Sequence, residues 1–545
     1  MDAPIETPFG ARTMSYCDYT ASGRGLHFVE RHIHGMLQQY ANTHTEDDIS
    51  GRATSRLLHE AEDAIKRAVN AGPNGRIIAC GTGATGAIDK LQQILGVAFA
   101  PATRSRFDEH LAQFFGLERA LEFRAFQESR QPVVFVGPYE HHSNEISWRQ
   151  GLATVVTIAL RADGGIDLDH LAAVLQAPEF RHRPRIGSFS AASNVTGMRT
   201  PVDEIATLLH RHSAVACFDF AASGPYAAID MNRGGDAWMD AIFLSPHKFI
   251  GGPGSSGILV FNSRLYRQEL APTVAGGGTV DYVSPADQDF VTDIEAREKA
   301  GTPGILQTIR AALAFEIKQA LTPAAIEARE QALLARAFDR WKGVAGLEIL
   351  GNTDPARRVG IVAFNVRDPR GGVLHPRFVT VLLNDLFGIQ SRAGCSCAGP
   401  YGHRLLSIDE EVSEQYRAWV RKGYHGIKPG WCRIGFHFVM DDVDADFVID
   451  AVQFVAAAGY RFLALYAFDP LTGQWRHRDE RGGGSAWSLA GALDAREASP
   501  SALPAAERAR RFDDYLAEAR RIAAELGEPA SGAASQNWPF FALYR

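Results

Sequence analysis

The chain lacks most of the features that would assign it by composition. Six cysteines scattered over 545 residues are too few for a disulfide framework. Cys17, Cys80 and Cys217 sit in apolar, strand-like contexts and read as inert packing. Cys395 and Cys397 form a Cys-x-Cys pair without the second pair that a zinc site requires, so no metal is expected. No apolar run reads as long enough to cross a bilayer, and the first ten residues carry neither a basic nor an apolar signal region. A soluble, cytoplasmic protein with no membrane contact is therefore expected. Lysine and arginine are not gathered into blocks and the formal charge is −7, which argues against nucleic acid as a partner, because phosphate binding draws on clustered positive charge. Internal repeats and extended low-complexity segments are missing too. What remains is an ordinary globular composition, 46% hydrophobic and 22% charged, at a length that implies two or more compact units.

The chemistry present is concentrated in a few turns. The apolar run Ala241–Leu244 reads as a buried strand that delivers Ser245, His247 and Lys248 into a turn closed by Gly251, Gly252, Pro253 and Gly254. A lysine fixed at a strand end can form a Schiff base with a carbonyl compound, and the neighbouring hydroxyl and imidazole can bind an anion beside it. By itself, such a turn also fits a solvated loop. A second strand, Val215–Asp219, ends in a carboxylate about thirty residues upstream, the span of one crossover unit in a parallel sheet. An Asp there can hold a pyridine nitrogen protonated, which makes pyridoxal phosphate the expected cofactor.

Together these residues resemble class V of the fold type I pyridoxal-phosphate enzymes, in particular the cysteine desulfurase and selenocysteine lyase group, from about Tyr16 to about Phe438. The resemblance implies an α/β fold of that type: a large domain with a mostly parallel, seven-stranded sheet and a smaller C-terminal α/β domain. The expected boundaries are an N-terminal segment 1–20 associated with the small domain, a large domain 21–312, a small domain 313–460 and an extension 461–545.

The rest of the expected site follows chain order. The small-residue segment Tyr16–Gly23 looks like the family's entry turn near substrate, and His44 falls in a loop similar to one near the cofactor, though a surface histidine fits equally. Gly81–Gly86 turns from a strand into a helix whose free N–H groups suit phosphate, with Ala84 and Thr85 at the position where the resembling enzymes hold it. The resemblance makes His141, in Glu140-His141-His142-Ser143-Asn144, the residue that stacks on the ring and shuttles protons. The amide of Asn194 can hydrogen-bond the ring oxygen and is counted among the substrate contacts, an Asx turn being its structural alternative. After Asp219 the chain departs from the family: Ala222 stands where a cofactor-contacting side chain is usual.

The Gly276–Thr279 loop resembles one that crosses a homodimer interface, which implies a dimer with shared active sites and Thr279 as the hydroxyl given to the partner's phosphate. A free thiol on the glycine-rich loop after Arg392 fits a nucleophile, and the family's Cys-Ala-x-Pro selects Cys397 over Cys395 as the persulfide-forming residue. Arg433, in Trp431–Phe436, looks like the arginine that grips the substrate carboxylate, with Arg392 as a second substrate-binding residue. The phenylalanine stripe of residues 101–131 reads as core or dimer contact within an insertion.

The expected reaction is desulfuration of L-cysteine: Lys248 moves the α-proton, Cys397 takes the sulfur for a sulfur-acceptor protein, and alanine leaves. Two competitors remain open. One is another reaction in the same pocket, either β-elimination from cysteine or cystine to pyruvate and ammonia, which needs no cysteine nucleophile, or that of a specialised biosynthetic lyase or transferase of the same fold; the other is a non-catalytic binding subunit. The tail beyond Phe438 reads as a hairpin around Asp469–Gly473, a flexible Arg481–Ser485 connection, a helix over Pro504–Leu526 and an aromatic end suited to docking.

Overall fold

Strand Val133–Val136 is buried at every position, as a strand covered on both faces must be. It lies within a seven-stranded sheet, described by a computed structural model covering residues 3–43, 45, 47–479, 503–528 and 541. His44, Arg481–Ser485 and, apart from Phe541, the aromatic end Trp538–Arg545 lie outside the described residues. From one edge to the other the strands run Gly75–Gly81, Gly257–Asn262, Ala241–Leu244, Val215–Asp219, Arg185–Ser190, Val133–Val136 and Thr154–Thr157. The last five are mutually parallel, and Gly257–Asn262 pairs antiparallel with both of its neighbours. Six strands therefore end at the same edge. Ligands in open α/β sheets bind at that carboxyl edge.

The chain divides into two compact units, Thr20–Ala328 and Met1–Tyr19 with Arg329–Arg545. The expected boundary at 312 differs from this division. Helix Ile305–Leu321 packs on helix Ile49–Ala68 and stays with the sheet, and Thr322, at φ 63°, separates it from the helix Pro323–Trp341.

The second unit is built on a four-stranded antiparallel sheet ordered Leu347–Ile349, Ile361–Val366, Trp431–Gly435 and Arg392–Gly394. Ser15–Tyr16 pairs in parallel with Ile389–Gln390, which sews the N-terminal segment into this unit. The described part of 461–545 is not a separate extension. Its helix Ala505–Leu526 lies on helix Asp442–Ala458, with Phe512 stacked on Phe447 at 3.9 Å and Arg508 paired to Asp441 and Asp444. Asp442–Leu465 is, against expectation, long and apolar enough by composition to cross a bilayer. Its Val448, Ile449, Val452 and Val455 are instead buried inside the unit.

The insertion forms two helices, Pro101–Phe115 and Leu117–Arg130, turned at Gly116 with φ 80°. Its phenylalanines are not core: Ala120 is the one buried residue in either helix, and Phe114 is 83% and Phe126 58% exposed. Helical spacing gave the correct element but not what covers it.

Candidate active site

Lys248 closes a single 3₁₀ turn, Pro246–Lys248, directly after the buried strand Ala241–Leu244. Two glycines fix that turn by allowing backbone to touch backbone. A Cβ on Gly252 would lie 1.9 Å from the Pro246 carbonyl oxygen, and one on Gly23 would lie 1.9 Å from that of Phe249. Gly23 also donates its N–H to the His247 carbonyl at 2.9 Å. The small-residue entry segment thus braces the lysine turn.

Ser245 Oγ accepts the Ala84 N–H at 2.9 Å, so the lysine turn caps the helix Gly83–Ile94. Gly83, at φ 62°, makes this approach feasible, since a Cβ there would lie 2.9 Å from His247 Cε1 and 3.0 Å from Ser245 Oγ. Thr85 Oγ1 and Ser143 Oγ share a 2.7 Å hydrogen bond, and the Ser143 N–H donates to His141 Nδ1 at 3.2 Å. In its neutral form the His141 imidazole therefore carries its proton on Nε2. Burial draws the His247 pKa down to about 4, with the Lys248 charge acting the same way, so His247 is a neutral hydrogen-bonding group near pH 7.

Asp219 is 4% exposed and accepts the Ala221 N–H on Oδ1 at 2.8 Å. Burial raises its pKa, opposed by the Ala221 hydrogen bond and the positive charge of Lys248. Beneath it, buried Glu140 accepts from Gly137 N, Ser190 N, Ser190 Oγ and Asn144 Nδ2, tying together the ends of two parallel strands. Burial lifts its pKa to about 7 in spite of those donors.

A cavity of about 160 Å³ at the carboxyl edge is lined by Ala84, Thr85, His141, Asn194, Asp219, Ser245, His247 and Lys248, together with Thr82, Gly83, Ser143, Ser190 and Ala192 and the alanines 221 and 222. The structure thus brings together every residue expected around the cofactor except Thr279. Thr279 is fully buried and its hydroxyl donates to the Gly276 carbonyl at 2.8 Å, while Gly276, Gly277 and Gly278 are exposed. At Ala222 the cavity wall is a methyl group.

The donor set fits pyridoxal phosphate. Hydroxyls and the first N–H groups of a twelve-residue helix suit the phosphate. The buried Asp219 carboxylate calls for a cation, which a protonated ring nitrogen supplies, and the Lys248 amine suits the aldehyde.

The remaining expected residues lie in the second unit. Arg433 is 4% exposed and bonds through Nη2 to Asp18 Oδ1 at 3.1 Å; Arg392 bonds through Nε to Asp18 Oδ2 at 2.8 Å. No sequence signal marks Asp18, within the entry segment, as their partner, since the two arginines lie 415 and 374 residues away in the chain. Cys397 is an exposed free thiol. Ser396 and Cys397 have φ of 51° and 56°, and the Ala398 N–H bonds the Cys395 carbonyl at 3.0 Å, which defines a type I′ turn from Cys395 to Ala398. Two successive left-handed residues that are not glycine cost roughly 1–3 kcal/mol each, and strain of this kind collects at functional sites.

Sheet, cavity and donor set are those of the fold type I pyridoxal-phosphate enzymes. The chain belongs to the aminotransferase class V family, whose profile it matches over residues 120–448. Pyridoxal 5′-phosphate is the family's cofactor and the one this site fits. The chain is 31% identical over 271 residues to a probable cysteine desulfurase of Halalkalibacterium halodurans, covering 49% of this chain and 62% of that protein. It is 29% identical over 405 residues to one from Staphylococcus epidermidis, covering 73% and 87%. Among solved structures it resembles a cysteine desulfurase of Thermococcus onnurineus, with TM-score 0.62, 19% identity and coverage of 81% and 94%. A cysteine desulfurase of Escherichia coli gives TM-score 0.60, 21% identity and the same 81% and 94%. At these identities the solved structures establish the fold.

Proposed function

We propose that the protein is a cysteine desulfurase, forming a persulfide on Cys397 and releasing alanine. The observation that carries this is an exposed thiol held on a strained turn, in a chain whose other unit carries the Lys248 and Asp219 cavity. The relatives named as probable cysteine desulfurases support it.

When bound, pyridoxal phosphate supplies an aldehyde that condenses with amines and a ring that takes up the electron pair left at a substrate α-carbon. Ala84, Thr85, Ser245 and His247 anchor the phosphate end. Asp219 would favour a protonated ring nitrogen, Asn194 would hydrogen-bond the ring oxygen, and His141 would lie against the ring, its neutral form protonated on Nε2. The Lys248 amine would hold the aldehyde and move the proton at the substrate α-carbon. Arg433 and Arg392, two positive charges held side by side by Asp18, bind the substrate carboxylate.

Cys397 Sγ attacks the substrate sulfur. The new S–S bond forms as the C–S bond breaks, and the electron pair left on Cβ takes up a proton to give alanine. A homodimer, a cytoplasmic location and an acceptor protein for the sulfur belong to the same proposal, with the exposed Gly276–Gly278 turn as the segment that reaches the partner.

Product analysis with L-cysteine tests it. Cys397→Ala is expected to stop alanine formation while the visible absorbance due to Lys248 persists; Lys248→Ala is expected to abolish that absorbance. Pyruvate and ammonia still formed by Cys397→Ala would establish elimination instead. Absence of the band from wild type would point to the non-catalytic alternative.

A further inference from the structure

The type I′ turn that carries Cys397 at its third position carries Cys395 at its first. Four of the six thiols are unsuited to exchange: Cys17, Cys217 and Cys432 are buried, and burial pushes up the pKa of Cys80 to about 12. Cys395 is half-buried and Cys397 exposed, and the two stand two residues apart on one turn.

The turn is anchored. Trp431 Nε1 donates to Ser396 Oγ at 3.2 Å, Gly394 is in register with Trp431, and a Cβ on Gly430 would meet the Gly394 backbone at 2.7 Å. Two Cα–Cα steps of ~3.8 Å folded by a turn place its first and third residues roughly 5.5 Å apart, inside the span a disulfide bridges. Type I′ turns favour Asn-Gly at their centre. Here Ser-Cys holds those positions against backbone preference, with a second thiol at the entry.

We propose that Cys395 is a resolving thiol, which rests on the desulfurase reading above. The Cys395 thiolate attacks Cys397 Sγ, the inner sulfur of the persulfide. A Cys395–Cys397 disulfide forms, the bond to the outer sulfur breaks, and that sulfur leaves with the electron pair as hydrosulfide, taking up the proton given by the Cys395 thiol. A dithiol reductant then returns both cysteines to thiols by exchange. Where no acceptor protein takes the outer sulfur first, the chain in this way releases it as sulfide, and each such release leaves the chain oxidised until a dithiol acts.

The test uses the full-length, cofactor-loaded protein, given one equivalent of L-cysteine per chain so that no excess thiol remains to reduce a disulfide, and digested to isolate the peptide that holds both cysteines. Wild type is expected to yield that peptide two hydrogens lighter, with one sulfide released per chain and further turnover lost until a dithiol is added. Cys395→Ser is expected to hold one extra sulfur on Cys397 and to lose the sulfide burst. A persulfide that accumulates equally in both proteins overturns the resolving role and leaves the desulfurase reading standing. No change to the peptide in either protein, with pyruvate formed, overturns both.

A second measurement needs no turnover. Diamide is expected to remove both turn thiols of wild type together as an internal disulfide, whereas in Cys395→Ser the Cys397 thiol survives or forms adducts. Adducts on Cys397 alone in wild type would show that the turn cannot close, and would overturn the proposal.

Discussion

Lys318 is 3% exposed on the helix Ile305–Leu321, donating from Nζ to the Ala227 carbonyl at 2.6 Å and lying 5.7 Å from the ring of Phe249, the residue after Lys248. Burial draws its pKa from 10.5 down to about 7. Between those values the unfolded chain binds a proton that the folded chain does not, so stability climbs with pH across the window. Below it the penalty is complete; above it, both states are neutral. Lys318→Met is expected to stabilise the protein at pH 7 by on the order of a few kcal/mol, with the gain shrinking toward about pH 10. Melting curves at the two pH values check this, and an equal gain at both would exclude burial of the charge as the cause. Gly23 gives a second expectation at this scale. Gly23→Ala must push the Phe249 carbonyl away from a 1.9 Å overlap, and with it the turn that carries Lys248. Loss of cofactor absorbance in a protein that still melts cooperatively is the expected result.

The two-helix insertion leaves its phenylalanines exposed although some of their rings touch one another. Phe107 and Phe123 meet at 6.4 Å, and the helical repeat sets Phe114 on the side of Phe107 and Phe126 on the side of Phe123. Phe114→Ser with Phe126→Ser is expected to change stability by no more than about 0.5 kcal/mol per site, whereas a buried phenylalanine costs ~3–5 kcal/mol on truncation. Chemical denaturation separates the two cases. The contrast with the site shows what a sequence displays. Lys248, Asp219, Asn194 and the Gly81–Gly86 turn were legible because each is a short local pattern, a strand followed at once by a turn with its own chemistry. The face of an amphipathic helix is equally local, but what covers it is not. Nor is an ion pair between Asp18 and two arginines in the last third of the chain, since no spacing rule connects them. Cys397 is singled out by its sequence neighbours, while the left-handed backbone beneath it emerges only from the structure.

At the scale of the molecule, the unit Thr20–Ala328 supplies every residue lining the cavity. Expressed alone, this fragment is expected to fold and to form an adduct with pyridoxal phosphate at Lys248, seen as visible absorbance after borohydride-sensitive binding. Failure of the fragment to melt cooperatively would show that its core depends on the rest of the chain. The other unit is discontinuous, because Ser15–Tyr16 must wait for Ile389–Gln390. On the ribosome Ser15–Tyr16 therefore emerges long before its partner exists, and the sheet-bearing unit is complete while that strand is still unmatched. A nascent chain stalled just past residue 328 should already resist protease across its sheet and still be clipped near its amino terminus, a vulnerability that ends only when the strand at 389 leaves the exit tunnel.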